Sequence, residues 1–309
     1  MATALITHPA CRRHEMGSGH PERPARLSAI ADALAAAGLA HRLLKLDAPA
    51  AEDEQLLRVH APAYLRRIIA ASPETGLVAL DPDTALNPHS LIAARHAAGA
   101  VVAAVDGVVR GELTNAFCAV RPPGHHACRE RAMGFCIFNN VAVGAAHALT
   151  AHGLTRVAIV DFDVHHGNGT EEIFHDDPRV LLASSFQHPF YPFSGAHSGN
   201  AHILPMPLPA GTDGRGFRHV WETVGLPALA RFAPQLILIS AGFDAHRDDP
   251  LAGLMLVEAD FAWLTREVLA IAAATCAGRV VSTLEGGYDL RALALSAAAH
   301  VQELASAAA

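Results

Sequence analysis

Lysine is almost absent from this chain of 309 residues: Lys45 stands alone, and arginine supplies every other long basic side chain. Lys and Arg total 23 against 30 acidic residues, for a net charge of -7. No basic run remains to neutralise phosphates, which excludes the electrostatic footprint of a nucleic-acid binder. An anionic membrane surface is equally unmatched. Cysteine is sparse: Cys11, Cys118, Cys128, Cys136 and Cys276 are odd in number and contain no Cys-x-x-Cys pair. That speaks against a disulfide framework and for reduced thiols in the cytoplasm. The N-terminal stretch lacks a basic segment followed by an apolar core, so no signal peptide is expected. The longest apolar stretch, 91–109, is interrupted by Arg95, His96 and Asp106, and reads as an Ala-rich helix rather than a membrane span. Internal repeats, low-complexity linkers and charge breaks are missing too. Residues 1–309 are therefore expected to form one domain, and 51% hydrophobic residues suffice for a large core.

What is present is a repeated pattern of apolar strands that end in polar loops. Residues 3–7 read as a first strand and 41–46 as a second, with helices over 27–37, 52–59 and 62–71. Residues 11–26 and 73–89 are rich in turn-forming residues and read as loops. From residue 115 onward, strands over 115–120, 157–160, 180–183, 236–239 and 280–284 lead into RPPGHHA, DFDVHHGNG, SSFQHPFYP, SAGFDAH and EGGYD. Helices over 139–151, 216–232 and 260–274 lie between several of them. Strands alternating with helices predict a parallel sheet covered on both faces. In such sheets ligands bind beyond the carboxyl ends of the strands, so the five loops should meet at one site.

The stretch DFDVHHGNG organises that site. In an extended chain residues i, i+2 and i+4 point to one face, so Asp161, Asp163 and His165 look the same way. Buried charge is costly unless it is paired or bound to a metal. Two readings fit: aspartates leaving a sheet for solvent, or one arm of a metal site. Asp244, at the end of another buried strand, favours the second. Two carboxylates and an imidazole give the three protein ligands of a catalytic zinc site. The rigid turn Pro122-Pro123-Gly124 presents His125 and His126, and histidine is the natural acid and base near neutral pH. Asp161 is a candidate partner for one of them. Gly286-Gly287 presents Tyr288, a donor for a developing oxyanion. The stretches Gly134-Phe135-Cys136 and Phe190-Tyr191-Pro192 bring aromatics to the same rim, as a slot for a slim chain or as core.

The ordered set HPERPARL, RPPGHHA, MGFCIFNN, DFDVHHGNGT, AGFDAH and LEGGYD resembles the zinc-dependent histone deacetylase family, in its class II and bacterial deacetylase-like amidohydrolase branch. The resemblance runs from about residue 8 to residue 290. It implies a single α/β domain of the arginase–deacetylase type, three-layered, with a central parallel sheet flanked by helices. It implies Zn2+ held by Asp163, His165 and Asp244, with His125, paired to Asp161, and His126 flanking the attacking water. Tyr288 is implied to polarise the substrate carbonyl. Gly134, Phe135 and Tyr191 match the walls of an acyl-lysine tunnel, and Leu251, after Asp249-Pro250, falls at its mouth. A structural K+ is implied at the backbone carbonyls of Asp161, Asp163 and His165 and the Ser184 side chain. Two positions depart from common family patterns: Asn168, where class I members carry aspartate, and Phe186, where many carry histidine.

The expected activity is hydrolysis of the amide of acyl-lysine in proteins or peptides, without nucleic-acid or membrane partners. The nearest rival is an acetylpolyamine amidohydrolase. Polyamine-selective relatives are similar but carry glutamate at the position of Leu251, which here offers no charge. A two-metal arginase-like hydrolase fits less well, because Gly167 and His246 stand where further carboxylates are needed. A non-catalytic acyl-lysine reader is opposed by the complete set of ligands, histidines and tyrosine. The acyl group and the oligomeric state are not set by the sequence.

Overall fold

In the computed structural model, which describes residues 2–308, eight strands form one parallel sheet. In chain order the strands are β1 (Ala2–Thr7), β2 (Leu44–Asp47), β3 (Val78–Ala79), β4 (Ala85–Leu86), β5 (Leu113–Cys118), β6 (Val157–Asp161), β7 (Val180–Gln187), β8 (Ile203–Leu208), β9 (Leu236–Ala241) and β10 (Val280–Leu284). The sheet order is β2-β1-β5-β10-β9-β6-β7-β8, and β3 with β4 makes a separate small antiparallel ribbon. After β5 the chain jumps outward to β6, β7 and β8. It then returns to insert β9 and β10 between β6 and β5. The loops after the four central strands thus converge, as ligand-binding crevices of open α/β sheets do.

The central strands are apolar on both faces because both are covered: β6, β9 and β10 are buried throughout. Helices Ser90–Val109 and Asn140–Ala151 pack on one face; Leu290–Ala307, Ala25–Ala36 and Glu258–Cys276 pack on the other. Helix Ser90–Val109 is long and apolar enough to cross a membrane by length and composition, but 67% of its apolar window is buried in the protein. It is a core helix.

The expected α/β architecture is present, with differences at the margins. The strand expected over 180–183 continues to Gln187, because Ser184–Gln187 pair with Pro205–Leu208 of β8. The buried Ser185 hydroxyl is satisfied by Trp221 Nε1 at 3.1 Å. β8 itself, ILPMPL, carries two prolines that speak against a strand. It forms because it lies at the edge, where prolines two apart lose N–H groups only on the free side. The helix expected over 216–232 is three segments, with a π-turn at Trp221–Gly225 between Gly214–Val220 and Leu226–Phe232. The C-terminal helix and a short one at Asn168–Phe174 were not expected. The second strand is only Leu44–Asp47, since 41–43 turn toward it.

Candidate active site

Asp161 is the last residue of β6, and beyond it the chain is not the extended run expected but bends over 163–165, held by the Asp163 N–H on Asp161 Oδ1 at 3.1 Å and the His165 N–H on Asp163 Oδ1 at 2.8 Å. This carries Asp163 and His165 over the carboxyl edge beside Asp244 from the loop after β9. Ligand atoms of Asp163, His165 and Asp244 all lie within 4.8 Å of one another, and all three residues are buried. His165 Nδ1 lies 3.0 Å from Asp163 Oδ1 and 3.2 Å from Asp244 Oδ2. The nitrogen bonds the Asp163 oxygen, and Asp244 Oδ2 is left without a hydrogen bond among the described residues. Asp244 Oδ1 accepts from the Val164 N–H at 3.0 Å and Asp163 Oδ2 from the Gly286 N–H at 2.8 Å. Each carboxylate is thus pinned by one oxygen or by backbone, and an oxygen of each faces the imidazole.

The electrostatics ask for a cation. Burial disfavours a charged His165, yet the Asp163 and Asp244 carboxylates hold its pKa up at about 10. Asp163 is held below the usual carboxylate range, because His125 and His165 outweigh its burial. Burial and the neighbouring Asp163 raise Asp244. Two buried carboxylates around one imidazole, with an orphaned oxygen, fit a metal ion with three protein ligands.

The two adjacent histidines have different partners. His125 Nδ1 meets Asp161 Oδ2 at 3.0 Å, and Nε2 lies 3.8 Å from Asp163. Burial opposes its charge, but Asp163 and Asp161 prevail and raise its pKa to about 10. His126 Nδ1 bonds Asn168 Oδ1 at 2.7 Å. Burial and the nearby charges of His125 and His165 push His126 well below its ordinary value. An amide oxygen can only accept, so His126 carries its proton on Nδ1 and presents a bare Nε2. One imidazole is cationic and the other neutral, 4.1 Å apart between ring centroids.

A hollow of about 200 Å³ reaches His126, and is also lined by Asp83, Gly134, Phe135, His165, Tyr191, Leu251 and Tyr288. The Tyr191 ring stands edge-on to His126 at 5.3 Å, and the Phe135 ring edge-on to Tyr288 at 5.7 Å. Gly134 and Phe135 both have positive φ, 56° and 67°. A Cβ on Gly134 would collide with the His126 ring. Phe135 has no such freedom, and a bulky residue at positive φ costs about 1–3 kcal/mol. Bonds from the Gly134 N–H to Asp83 Oδ1 (3.1 Å) and from the Phe135 N–H to Thr84 Oγ1 (3.0 Å) hold the turn. Burial, then Asp244, raises the Tyr288 pKa well above its ordinary value, so its hydroxyl keeps its proton. Gly286 is required because a Cβ there would strike the Asp244 carboxylate.

The structure brings together all the residues singled out from the sequence, and adds supports that sequence reasoning missed. Glu285 Oε2 accepts from the Gly124 and His125 N–H groups at 2.6 and 3.1 Å, fixing the histidine turn. Asp249 Oδ2 accepts from the Tyr288 N–H at 2.7 Å, and its Oδ1 from the Leu251 N–H at 3.0 Å. Arg26, fully buried, donates to Gly287 O at 2.6 Å and Glu285 O at 2.5 Å, with its guanidinium 5.0 Å from the Tyr288 ring centroid. Glu22 binds both Arg26 and Arg121. Burial opposes its charge, but Arg121 beside it draws its pKa down to about 2. The signal for this network was in HPERPARL: a Glu and Arg four apart in a Gly- and Pro-rich segment. Asp83 sat in the polar stretch 73–89 with no motif to mark it.

A three-ligand cluster, a charged and a neutral histidine and a protonated tyrosine around one narrow hollow are the equipment of a hydrolase. The sequence model of the histone deacetylase domain matches residues 20–304. The chain is 40% identical over 294 residues to the histone deacetylase-like amidohydrolase of Pseudomonas aeruginosa, covering 93% of this chain and 77% of that protein. It is 38% identical over 333 residues to the human polyamine deacetylase HDAC10, covering 98% of this chain and 48% of that protein. The crystal structure of the HDA15 HD domain superposes with a TM-score of 0.92 at 36% identity, covering 99% of this chain and 90% of that one. The chain therefore belongs to the histone deacetylase family, and it is a hydrolase of that family.

Proposed function

We propose that the protein is a zinc-dependent deacylase that hydrolyses the side-chain amide of acyl-lysine in proteins or peptides. The observation that carries this reading is the hollow itself. Its lining joins His126, His165 and Tyr288 to Phe135, Tyr191 and Leu251. Such a slot suits a slim aliphatic stem that ends in an amide.

Asp163, His165 and Asp244 would hold the zinc ion, which when bound supplies Lewis-acid polarisation and a more acidic water. Around it the chain's own groups divide the work. His126, neutral and with Nε2 bare, takes the proton from the attacking water and returns it to the leaving amine. His125, kept cationic by Asp161, stabilises developing negative charge without giving up its proton. The Tyr288 hydroxyl donates to the oxyanion as the carbonyl becomes tetrahedral. Phe135 and Tyr191 exclude water and align the stem. A structural K+ at the Asp161–His165 backbone is supported by Ser184: its hydroxyl is buried, lacks a hydrogen-bond partner among the described residues, and lies in register with Asp161. The five buried free cysteines suit a cytoplasmic location.

A second reading, hydrolysis of N-acetylated polyamines, has one observation in its favour: Asp83 places a carboxylate on the hollow's lining. Asp83 already accepts from the Gly134 N–H and the Thr84 hydroxyl, and is engaged in shaping the wall. Asp248 and Glu258 line a different hollow. Turnover of a panel of acylated lysine peptides and of acetylputrescine and acetylspermidine decides between the two. A protein faster on the acetylpolyamines overturns the first reading.

A further inference from the structure

We infer that the surface hollow built by residues 188–198 around Phe193, two residues along the chain from the tunnel wall Tyr191, is a subsite for the polypeptide that carries the acyl-lysine. It takes an apolar or aromatic side chain next to that lysine. This inference rests on the deacylase reading and names how that site recognises a polypeptide.

Four observations meet at Phe193. Its side chain is the most exposed of the large apolar residues described, at 77%. Its φ is 60°, a conformation that a bulky residue adopts at a cost and glycine adopts freely. Folding gains nothing from an aromatic ring carried into water on such a backbone. The turn that presents it is also rigidly joined to the site. The Phe193 N–H closes the turn onto Phe190 O at 2.8 Å, and the Phe190 ring stacks on His165 at 5.4 Å and 23°. Tyr191, between them, is a wall of the tunnel. Phe193 therefore stands at a fixed offset from the acyl-lysine stem, two residues from the wall that touches it.

The hollow that Phe193 borders is about 290 Å³ and is also lined by His188 and His197. The exposed aromatic face of Phe193 suits the apolar side chain of a peptide segment. No carboxylate lines the hollow, so it gives an ammonium chain no ion pair.

The test compares wild type with F193G, which keeps the φ and removes the ring. Four substrates are used: an acetyl-lysine peptide with leucine or phenylalanine flanking the lysine, the same peptide with aspartate there, a capped acetyl-lysine monomer, and acetylspermidine. The expected result is a KM about tenfold higher for the apolar-flanked peptide in F193G, the scale of one part-buried aromatic contact. The monomer and acetylspermidine change by less than a factor of about two on that same scale. Equal losses on all four substrates, or none on the apolar-flanked peptide, overturn the subsite. If neither protein turns over any acetyl-lysine compound, the catalytic reading falls instead. Fluorescence anisotropy of the labelled apolar-flanked peptide then judges the subsite: weaker binding to F193G upholds it, and equal binding overturns it.

Discussion

Among the described residues two clusters gather three imidazole and carboxylate side chains within metal-binding distance, and they differ in what already satisfies them. Asp163, His165 and Asp244 stand at the carboxyl edge of the sheet. Asp106, His147 and His152 stand on and after two helices that cover one face. In the second cluster Asp106 Oδ1 meets His147 Nε2 at 2.9 Å and His152 Nε2 at 2.6 Å. His147 Nδ1 meets the Arg58 guanidinium at 2.7 Å. Arginine can only donate, so His147 carries its proton on Nε2 and gives it to Asp106. A metal there would have to displace both that proton and Arg58. In the first cluster two buried carboxylates share one imidazole, and Asp244 Oδ2 has no hydrogen bond among the described residues. Ligand types at the right distance do not by themselves make a metal site; an unpartnered carboxylate oxygen in a buried place is what favours the first cluster over the second.

The largest effect that separates the clusters is loss of the metal. Asp244→Ala is expected to abolish both zinc content and turnover, and a chelator should do the same to wild type, with zinc restoring activity. Metal analysis by mass spectrometry together with an acyl-lysine assay reads both. Full activity in a zinc-free preparation defeats the assignment.

Next in size is Tyr288→Phe, which keeps the ring against Phe135 and removes only the donor. Loss of one oxyanion donor typically costs about 10²–10³ in kcat. Zinc content is expected to stay at the wild-type level, since Tyr288 is no ligand. A kcat within about twofold of wild type, far below that scale, removes the hydroxyl from the mechanism.

How much of this was legible in the sequence follows from the range of each interaction. The run Asp161, Asp163, His165 could be read as a cluster because its members are neighbours in the chain, though bends at 163–165 and not strand alternation gather them, and the motif order placed Asp244 and Tyr288 on the same edge. The contact of Glu22 with Arg121 could not, because the two are 99 residues apart in the chain and only the folded sheet brings them together, whereas the Glu22–Arg26 pair four apart lay within HPERPARL. Asn168 was noted as a departure from a family pattern. Its bond to His126 needed the turn of the short helix Asn168–Phe174. The C-terminal helix carries a legible signal: Asp289 caps it, and Leu293, Ala297, Val301 and Leu304 bury one face at helical spacing. β8 was hidden by its prolines, which mark an edge strand only once an edge is known to exist.

Leu251→Glu sharpens the comparison of substrates. The side chain lines the tunnel hollow and its N–H is held by Asp249, so a glutamate would be fixed near the mouth. A partly buried ion pair with a distant ammonium is worth about 1–3 kcal/mol, roughly tenfold to a hundredfold. The ratio of kcat/KM for acetylspermidine over an acetyl-lysine peptide is expected to rise by that factor. An unchanged ratio means that the mouth residue does not discriminate and that Asp83 already meets the ammonium.

The smallest expected effect falls on the second cluster. Asp106→Asn keeps the size of the side chain and removes the charge that joins helix Ser90–Val109 to His147 and His152. Burial works against the Asp106 charge, but bonds from the two imidazoles outweigh it and hold its carboxyl below the ordinary value. A carboxyl depressed by folding stabilises the protein fully above its unfolded pKa, here 3.8, and loses that contribution as the pH falls through the folded value. Asp106 is part-exposed, with 27% of its side chain accessible, so solvent screening keeps the loss to about 1 kcal/mol at neutral pH. Urea unfolding of wild type and Asp106→Asn at pH 7 and pH 3 reads it: a gap at the first pH that narrows at the second. Zinc content and kcat/KM are expected to be unchanged. A variant that lost one equivalent of zinc would show that the helix cluster binds metal after all, and would erase the distinction between the two.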